Sequence, residues 1–119
     1  MASLEVRDKR VEVVMCGLER LGALRGDVSV ALDEVLDVRT SAEPFGELRG
    51  WRLPGTGLPR VIALGTWRSR DGRDFAAVYR GRPAVVVEVR AGAEFRRLLV
   101  GDEHAEDTVS RLRAAVLAR

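Results

Sequence analysis

The sequence predicts a mainly β fold, an antiparallel barrel or sandwich of seven or eight strands with one C-terminal amphipathic helix. Three observations predict it. Apolar and polar residues alternate in short runs along most of the chain, the period of a half-buried strand. Turn-forming groups such as Ser69-Arg70-Asp71-Gly72 and Arg80-Gly81-Arg82-Pro83 separate those runs. A long helical stripe occurs only at the end of the chain, where Ala105, Val109, Leu112 and Val116 share one face.

Taken in order, Leu4 and Val6 alternate with Glu5 and Arg7, and the pattern resumes from Arg10 to Met15 after Asp8-Lys9. Two such runs joined by two polar residues predict a hairpin, although its turn has neither Gly nor Asn. Leu18, Leu21 and Leu24 recur every three residues and predict one or two helical turns, kept short by Gly17, Gly22 and Gly26. Val28, Val30 and Leu32 form the inward row of a strand. A polar break at Asp33-Glu34 leads to another strand over Val35–Thr40. Ser41 is placed to cap one turn over Glu43-Pro44-Phe45, with Phe45 and Leu48 pinning it to the core.

From Trp51 to Arg60 no period is visible, and Pro54, Gly55, Gly57 and Pro59 predict an irregular loop with Gly55 or Gly57 at positive φ. Val61–Arg68 and the row Phe75, Ala77, Tyr79 predict a hairpin across Asp71-Gly72. Arg80–Pro83 turns the chain again, into Ala84–Val89. That run is too apolar to lie at an edge and should be central. Ala91-Gly92 and Phe95–Val100 make a last turn and strand. The helix opens at Gly101-Asp102-Glu103, with acids at its start and Arg111, Arg113 and Arg119 near its end, matching the helix dipole.

The totals bound the class. The 119 residues suit a single domain over 1–119 with a core of its own. One cysteine, Cys16, excludes an intrachain disulfide and reads as a small core residue. The start, MASLEVRDKR, has no apolar segment of signal-peptide length, and no run is long enough to span a bilayer. These features predict a cytoplasmic protein, peripheral to a membrane at most. All basic residues but Lys9 are Arg; Arg suits bidentate phosphate binding, but GC-rich coding is the favoured cause and no function is read from the total.

Several stretches carry a wider likeness: Val28-Ser29-Val30-Ala31-Leu32-Asp33-Glu34-Val35, the approach from Leu48 to Pro59, Gly65-Thr66-Trp67 through Phe75, and Arg80 through Val87. In these the chain resembles bacterial pleckstrin-homology-like (PH-like) domain proteins of the small actinobacterial kind. The resemblance implies a barrel closed by a C-terminal helix, and a role in binding or assembly rather than catalysis, with headgroups, peptides or further copies as partners. Phosphoinositide-binding members keep a basic cluster at the first hairpin turn. Here Arg7, Lys9 and Arg10 stand with Asp8 among them.

No catalytic constellation is visible. The only histidine, His104, lies among acids at a helix start. The Gly/Pro loop leads into a strand and lacks the Gly-Lys-Ser/Thr of a phosphate loop. Asp71 and Asp74 fall in a hairpin turn, where Asp is expected. No metal-ligand cluster and no cofactor motif appears. The chain is therefore expected to be no enzyme but an interaction or assembly module, with a protein partner or self-association favoured.

The competing reading is a binding module for an anionic headgroup or phosphate. Between Arg49 and Arg82 the charge is +6, against −4 for the rest of the chain. Arg68, Arg70 and Arg73 are the candidate anion-facing cluster, with Arg52 and Arg60 as a second wall. The plainer alternative is a solvated hairpin end. Nucleic acid is disfavoured, because Trp51, Trp67 and Tyr79 are expected in the core rather than exposed for stacking.

Overall fold

The computed structural model describes residues 2–15, 17, 28–52, 56–58 and 62–118. Cys16, the Leu18–Leu24 turns, Gly55 and Arg60 lie outside the described residues. The fold is mainly β, as the alternation predicts, with two sheets, one C-terminal helix and no closed barrel.

The smaller sheet contains β1 (Ser3–Arg7), β2 (Arg10–Val14) and β3 (Val28–Ala31), in that order. Its first hairpin is the expected one, with Leu4 opposite Val13 and Val6 opposite Val11. Asp8 and Lys9 take φ of +50° and +62°. Positive φ at both loop residues is what a two-residue turn needs to match strand twist. The turn therefore forms without Gly, at a backbone cost carried mostly by Lys9.

The larger sheet is built from β4 (Val35–Ser41), β5 (Trp51–Arg52), β6 (Thr56–Leu58), β7 (Ile62–Ser69), β8 (Gly72–Tyr79), β9 (Ala84–Val89) and β10 (Arg97–Gly101). Its order is β4-β9-β10-β8-β7-β5, with β6 also paired to β7. Three expectations are corrected here. The sheet is mixed, not wholly antiparallel, because β10 runs parallel to β8 and antiparallel to β9. The strands on either side of Arg80–Pro83 are not hairpin partners, since β10 lies between them. The stretch from Trp51 to Arg60 is not wholly irregular: Trp51-Arg52 and Thr56–Leu58 each pair with β7, and Gly57 sits within β6. Pro54 and Pro59 lie outside the described residues.

The helix α1 (Ala105–Ala118) follows β10. Asp102 caps its approach, accepting hydrogen bonds from the His104 N–H at 2.7 Å and from the Thr108 hydroxyl. Two arginines of α1 hold it to both sheets. Arg111 Nη2 donates to the Leu4 carbonyl at 2.9 Å, and Arg113 Nε to the Val38 carbonyl at 2.8 Å. They satisfy strand carbonyls as well as complementing the helix dipole.

The faces of the larger sheet follow from its register. Val38, Val87, Leu98, Phe75 and Thr66 lie opposite one another across β4, β9, β10, β8 and β7. This row faces the main core, which joins it to Leu4, Val11, Val13, Val28 and Val30 of the small sheet and to Ala105, Val109 and Leu112 of α1. The next row is Asp37, Glu88, Arg97, Asp74, Trp67 and Arg52. It belongs to the opposite face, where Ala63, Trp67, Ala76, Val78, Ala84, Val86 and Leu99 form a smaller cluster under Phe45 and Leu48. Phe45 lies in a short 3-10 turn, Pro44–Glu47, and Leu48 follows it. Ser41 ends β4 instead of capping that turn, and its hydroxyl accepts the Glu43 N–H at 3.3 Å.

Candidate functional site

The β7–β8 hairpin sets the geometry of the arginine cluster. Arg68 and Arg73 are direct cross-strand partners, one pair before the Ser69–Gly72 pair that closes the loop. Both are exposed, as is Arg70 in the two-residue loop Arg70-Asp71. Like charges opposite each other on neighbouring strands destabilise a sheet unless solvent or a counter-ion screens them. Among the described residues no carboxylate lies within ion-pair distance of Arg68, Arg70 or Arg73.

The reason lies on the other side of the same hairpin. The two acids of the Arg49–Arg82 segment are both bound elsewhere. Asp71 accepts Arg49 Nη1 at 2.9 Å. Asp74 accepts Arg49 Nε at 2.8 Å and Nη2 at 3.1 Å, and Arg97 Nε at 3.1 Å and Nη2 at 2.9 Å. Asp74 is not a solvated turn residue: it lies within β8 and is 2 % exposed. The chain of pairs continues from Arg97 to Glu47 at 3.1 Å, from Glu47 to Arg39 through two bonds of 2.9 and 3.0 Å, and from Arg39 to Glu88 at 3.5 Å. Arg97 also donates to the Glu47 carbonyl. This network fastens the 42–50 segment over the second face of the sheet.

Its charges hold one another in the ionised state. The two-pronged bond from Arg39, opposed by burial and helped by the Ser41 hydroxyl and by the charges of Arg39 and Arg97, lowers the Glu47 carboxyl from 4.5 to about 2. Arg39 is raised by its bond to Glu47, and Arg49 by its bond to Asp74. A carboxyl depressed in the folded state contributes stability that is complete above about pH 4.5 and lost as the pH falls towards about 2. The full shift corresponds to about 3 kcal/mol, which screening of this partly exposed side chain reduces to about 1–2 kcal/mol. Glu47→Gln should therefore remove about that much of the stability loss between pH 4.5 and 2 in urea titrations. An acid limb identical to the parent's would take Glu47 out of the network.

The arginine-rich segment thus does not form one surface. Arg49 belongs to the buried network, and Arg82 pairs with Glu103 at 3.0 Å. Arg80 and Arg82 stand beyond the far end of β8, about 23 Å from the loop at strand rise. What remains at the near end is Arg68, Arg70 and Arg73. Arg52 pairs in register with Trp67, in the row next to theirs, and Arg60 lies outside the described residues, so the second wall is unassigned.

Two residues at this end were not legible as part of a site. Trp51 was expected in the core, yet it is 81 % exposed, on the edge strand β5 and opposite Arg68. Gly50, at φ +78°, permits that approach, because a Cβ there would collide with the Arg68 carbonyl. Trp67 does enter the core. Arg96 reaches the cluster through the insertion of β10: its N–H donates to the Arg73 carbonyl at 2.7 Å, and its stem crosses Gly72, where a Cβ would lie 2.7 Å from Arg96 Cγ. Its Nε is buried and makes no hydrogen bond among the described residues.

Elsewhere a shallow cleft of about 1050 Å³ opens between the 42–48 segment and the 79–83 turn, lined by Pro44, Phe45, Leu48, Tyr79, Arg80 and Pro83. His104 is exposed. Among the described residues no three His, Cys, Asp or Glu side chains converge as metal ligands, and no helix is long and apolar enough to cross a membrane. The chain matches no protein-family model, no curated protein and no solved structure, so its function has to be read from the surfaces it presents.

Proposed function

We propose that the chain is a non-catalytic binding module and that the hairpin end bearing Arg68, Arg70 and Arg73 is the surface it offers to an anionic, phosphate-bearing partner. One observation carries this reading. Both acids within the segment are bound to arginines of the opposite face, while the facing pair Arg68–Arg73 has no carboxylate partner among the described residues. An anion set between the two guanidiniums removes their repulsion and accepts hydrogen bonds from both. A single exposed contact of this kind is worth about 0.2–1 kcal/mol, so the three must act together. The parallel β8–β10 pair sets the chain apart from an all-antiparallel barrel.

The test is retention on phosphocellulose at low salt, with elution by a salt gradient. The parent should be retained and released by salt. The triple variant Arg68→Gln, Arg70→Gln, Arg73→Gln should pass through unretained, with an unchanged melting curve. If it elutes with the parent, these arginines are only the solvated end of a hairpin and the reading fails.

A further inference from the structure

Trp51, Arg68 and Arg73 occupy one row across β5, β7 and β8, since Trp51 pairs with Arg68 and Arg68 with Arg73. Neighbouring strands lie about 4.8 Å apart, so the row spans about 10 Å. Arg70 sits on the loop joining two of these strands. Arg96 is bonded through its backbone to Arg73. The indole has 81 % of its surface in solvent and makes no ring contact among the described residues. A large flat apolar ring on an edge strand is a liability for a protein without a partner. The other tryptophan of this region, Trp67, is only 8 % exposed.

Arginines alone accept any anion. A free aromatic face beside them narrows the ligand to an anion joined to a flat ring. We infer that this row recognises nucleotide units, with a base stacked on Trp51 and the neighbouring phosphates held by Arg68 and Arg73, flanked by Arg70 and Arg96. This deepens the anionic-partner reading and rests on it. The bases of a single strand are open to stacking, and each carries its own phosphate. One ring beside several guanidiniums therefore suits a strand better than one free nucleotide. A duplex hides its base faces. A bilayer anchor scales with the apolar area it buries, and among the described residues the other exposed large apolar side chains, Val6, Leu36 and Leu117, lie on β1, β4 and α1 rather than in this row.

Intrinsic fluorescence tests the assignment, because the buried Trp67 is insulated and Trp51 is the exposed reporter. The parent is titrated at low salt with oligo(dT) of about 15 nucleotides, a length one small module can span, and separately with dTMP, a duplex of equal length, and vesicles of phosphatidylcholine and phosphatidylserine. The expected result is saturable quenching by oligo(dT), weakened by salt, and weaker binding of the duplex. Trp51→Phe should show no quenching. Trp51→Ala should bind a fluorescein-labelled oligo(dT) about tenfold or more weakly, while remaining on phosphocellulose like the parent. Binding of dTMP as tight as that of oligo(dT) would identify the source as a free nucleotide, with the same stacking chemistry. If the parent is retained on phosphocellulose but neither dTMP nor oligo(dT) quenches Trp51, the inference is overturned and the anion surface stands. If the triple arginine variant is also retained, both fall. A blue shift on anionic vesicles without a response to oligo(dT), or a duplex preferred to a single strand, likewise overturns it.

Discussion

Asp74→Ala is expected to lower the unfolding free energy by about 3–5 kcal/mol, the usual result of removing one partner from a buried ion pair. Asp74 is 2 % exposed and takes two bonds from Arg49 and two from Arg97. Its loss leaves Arg97, 7 % exposed at the side chain, with Glu47 as its one remaining carboxylate among the described residues. The effect should reach the 42–50 segment, because Arg49 and Glu47 both belong to it. Phe45 and Leu48 would then lose their seat on the second face, and Trp67 beneath them would gain solvent. Urea denaturation followed by tryptophan emission measures both consequences. Asp71→Ala is the control: its carboxylate is 62 % exposed and touches the same arginine, so its removal should cost less than about 1 kcal/mol. If the two variants lose equal stability, the network does not hold the segment and the second face is closed by apolar contact alone.

Phe75→Ala should cost a similar amount, about 3–5 kcal/mol, by a different route. Phe75 is fully buried at the centre of β8, in the row with Val87 and Leu98, and meets the edge of Phe95 at 6.3 Å between ring centroids and 76° between planes. Truncation removes that edge contact and leaves a cavity where the sheet meets the small sheet and α1. A close-packed interior of this kind collapses little around a missing ring. Against a total stability of about 5–15 kcal/mol, the loss is enough to unfold a marginal domain. Phe75→Leu, which keeps most of the volume, should retain the fold and lose about 1–2 kcal/mol. Denaturation of the two variants decides the point. A loss below about 1 kcal/mol for Phe75→Ala would mean that the core row is not close-packed at its centre.

What the chain showed in advance was whatever depends on neighbours in sequence. The apolar run Ala84–Val89 demanded a central strand and lies between β4 and β10. The hairpin across Asp71-Gly72, seen from Ile62 to Tyr79, the helix stripe of Ala105, Val109 and Leu112, and the pinning role of Phe45 and Leu48 follow from period and turn chemistry, and each is present. What stayed hidden depends on strand order. Asp74 looked like turn chemistry because its partners, Arg97 and Arg49, are 23 and 25 residues away, and Glu47 is 50 residues from Arg97. Trp51 looked like core because tryptophan usually is. Its exposure follows from β5 being a two-residue edge strand, which no local pattern marks. Arg68, Arg70 and Arg73 were found by charge and spacing. That no described carboxylate neutralises them followed only once Asp71 and Asp74 were seen to serve Arg49 and Arg97.

The place of β10 also bears on the order in which the molecule can assemble. β8 and β9 are joined by four residues, yet each meets β10 instead of the other. The slot between them is filled by a strand that follows both in sequence. Until residues 97–101 emerge from the ribosome, both flanking strands present bare rows of amide and carbonyl groups to a strand-wide gap, the condition under which strand edges recruit the wrong neighbour. Closure of the sheet, seating of Arg97 against Asp74 and delivery of α1 to the core therefore all wait on residues 97–118, which are made after both flanking strands.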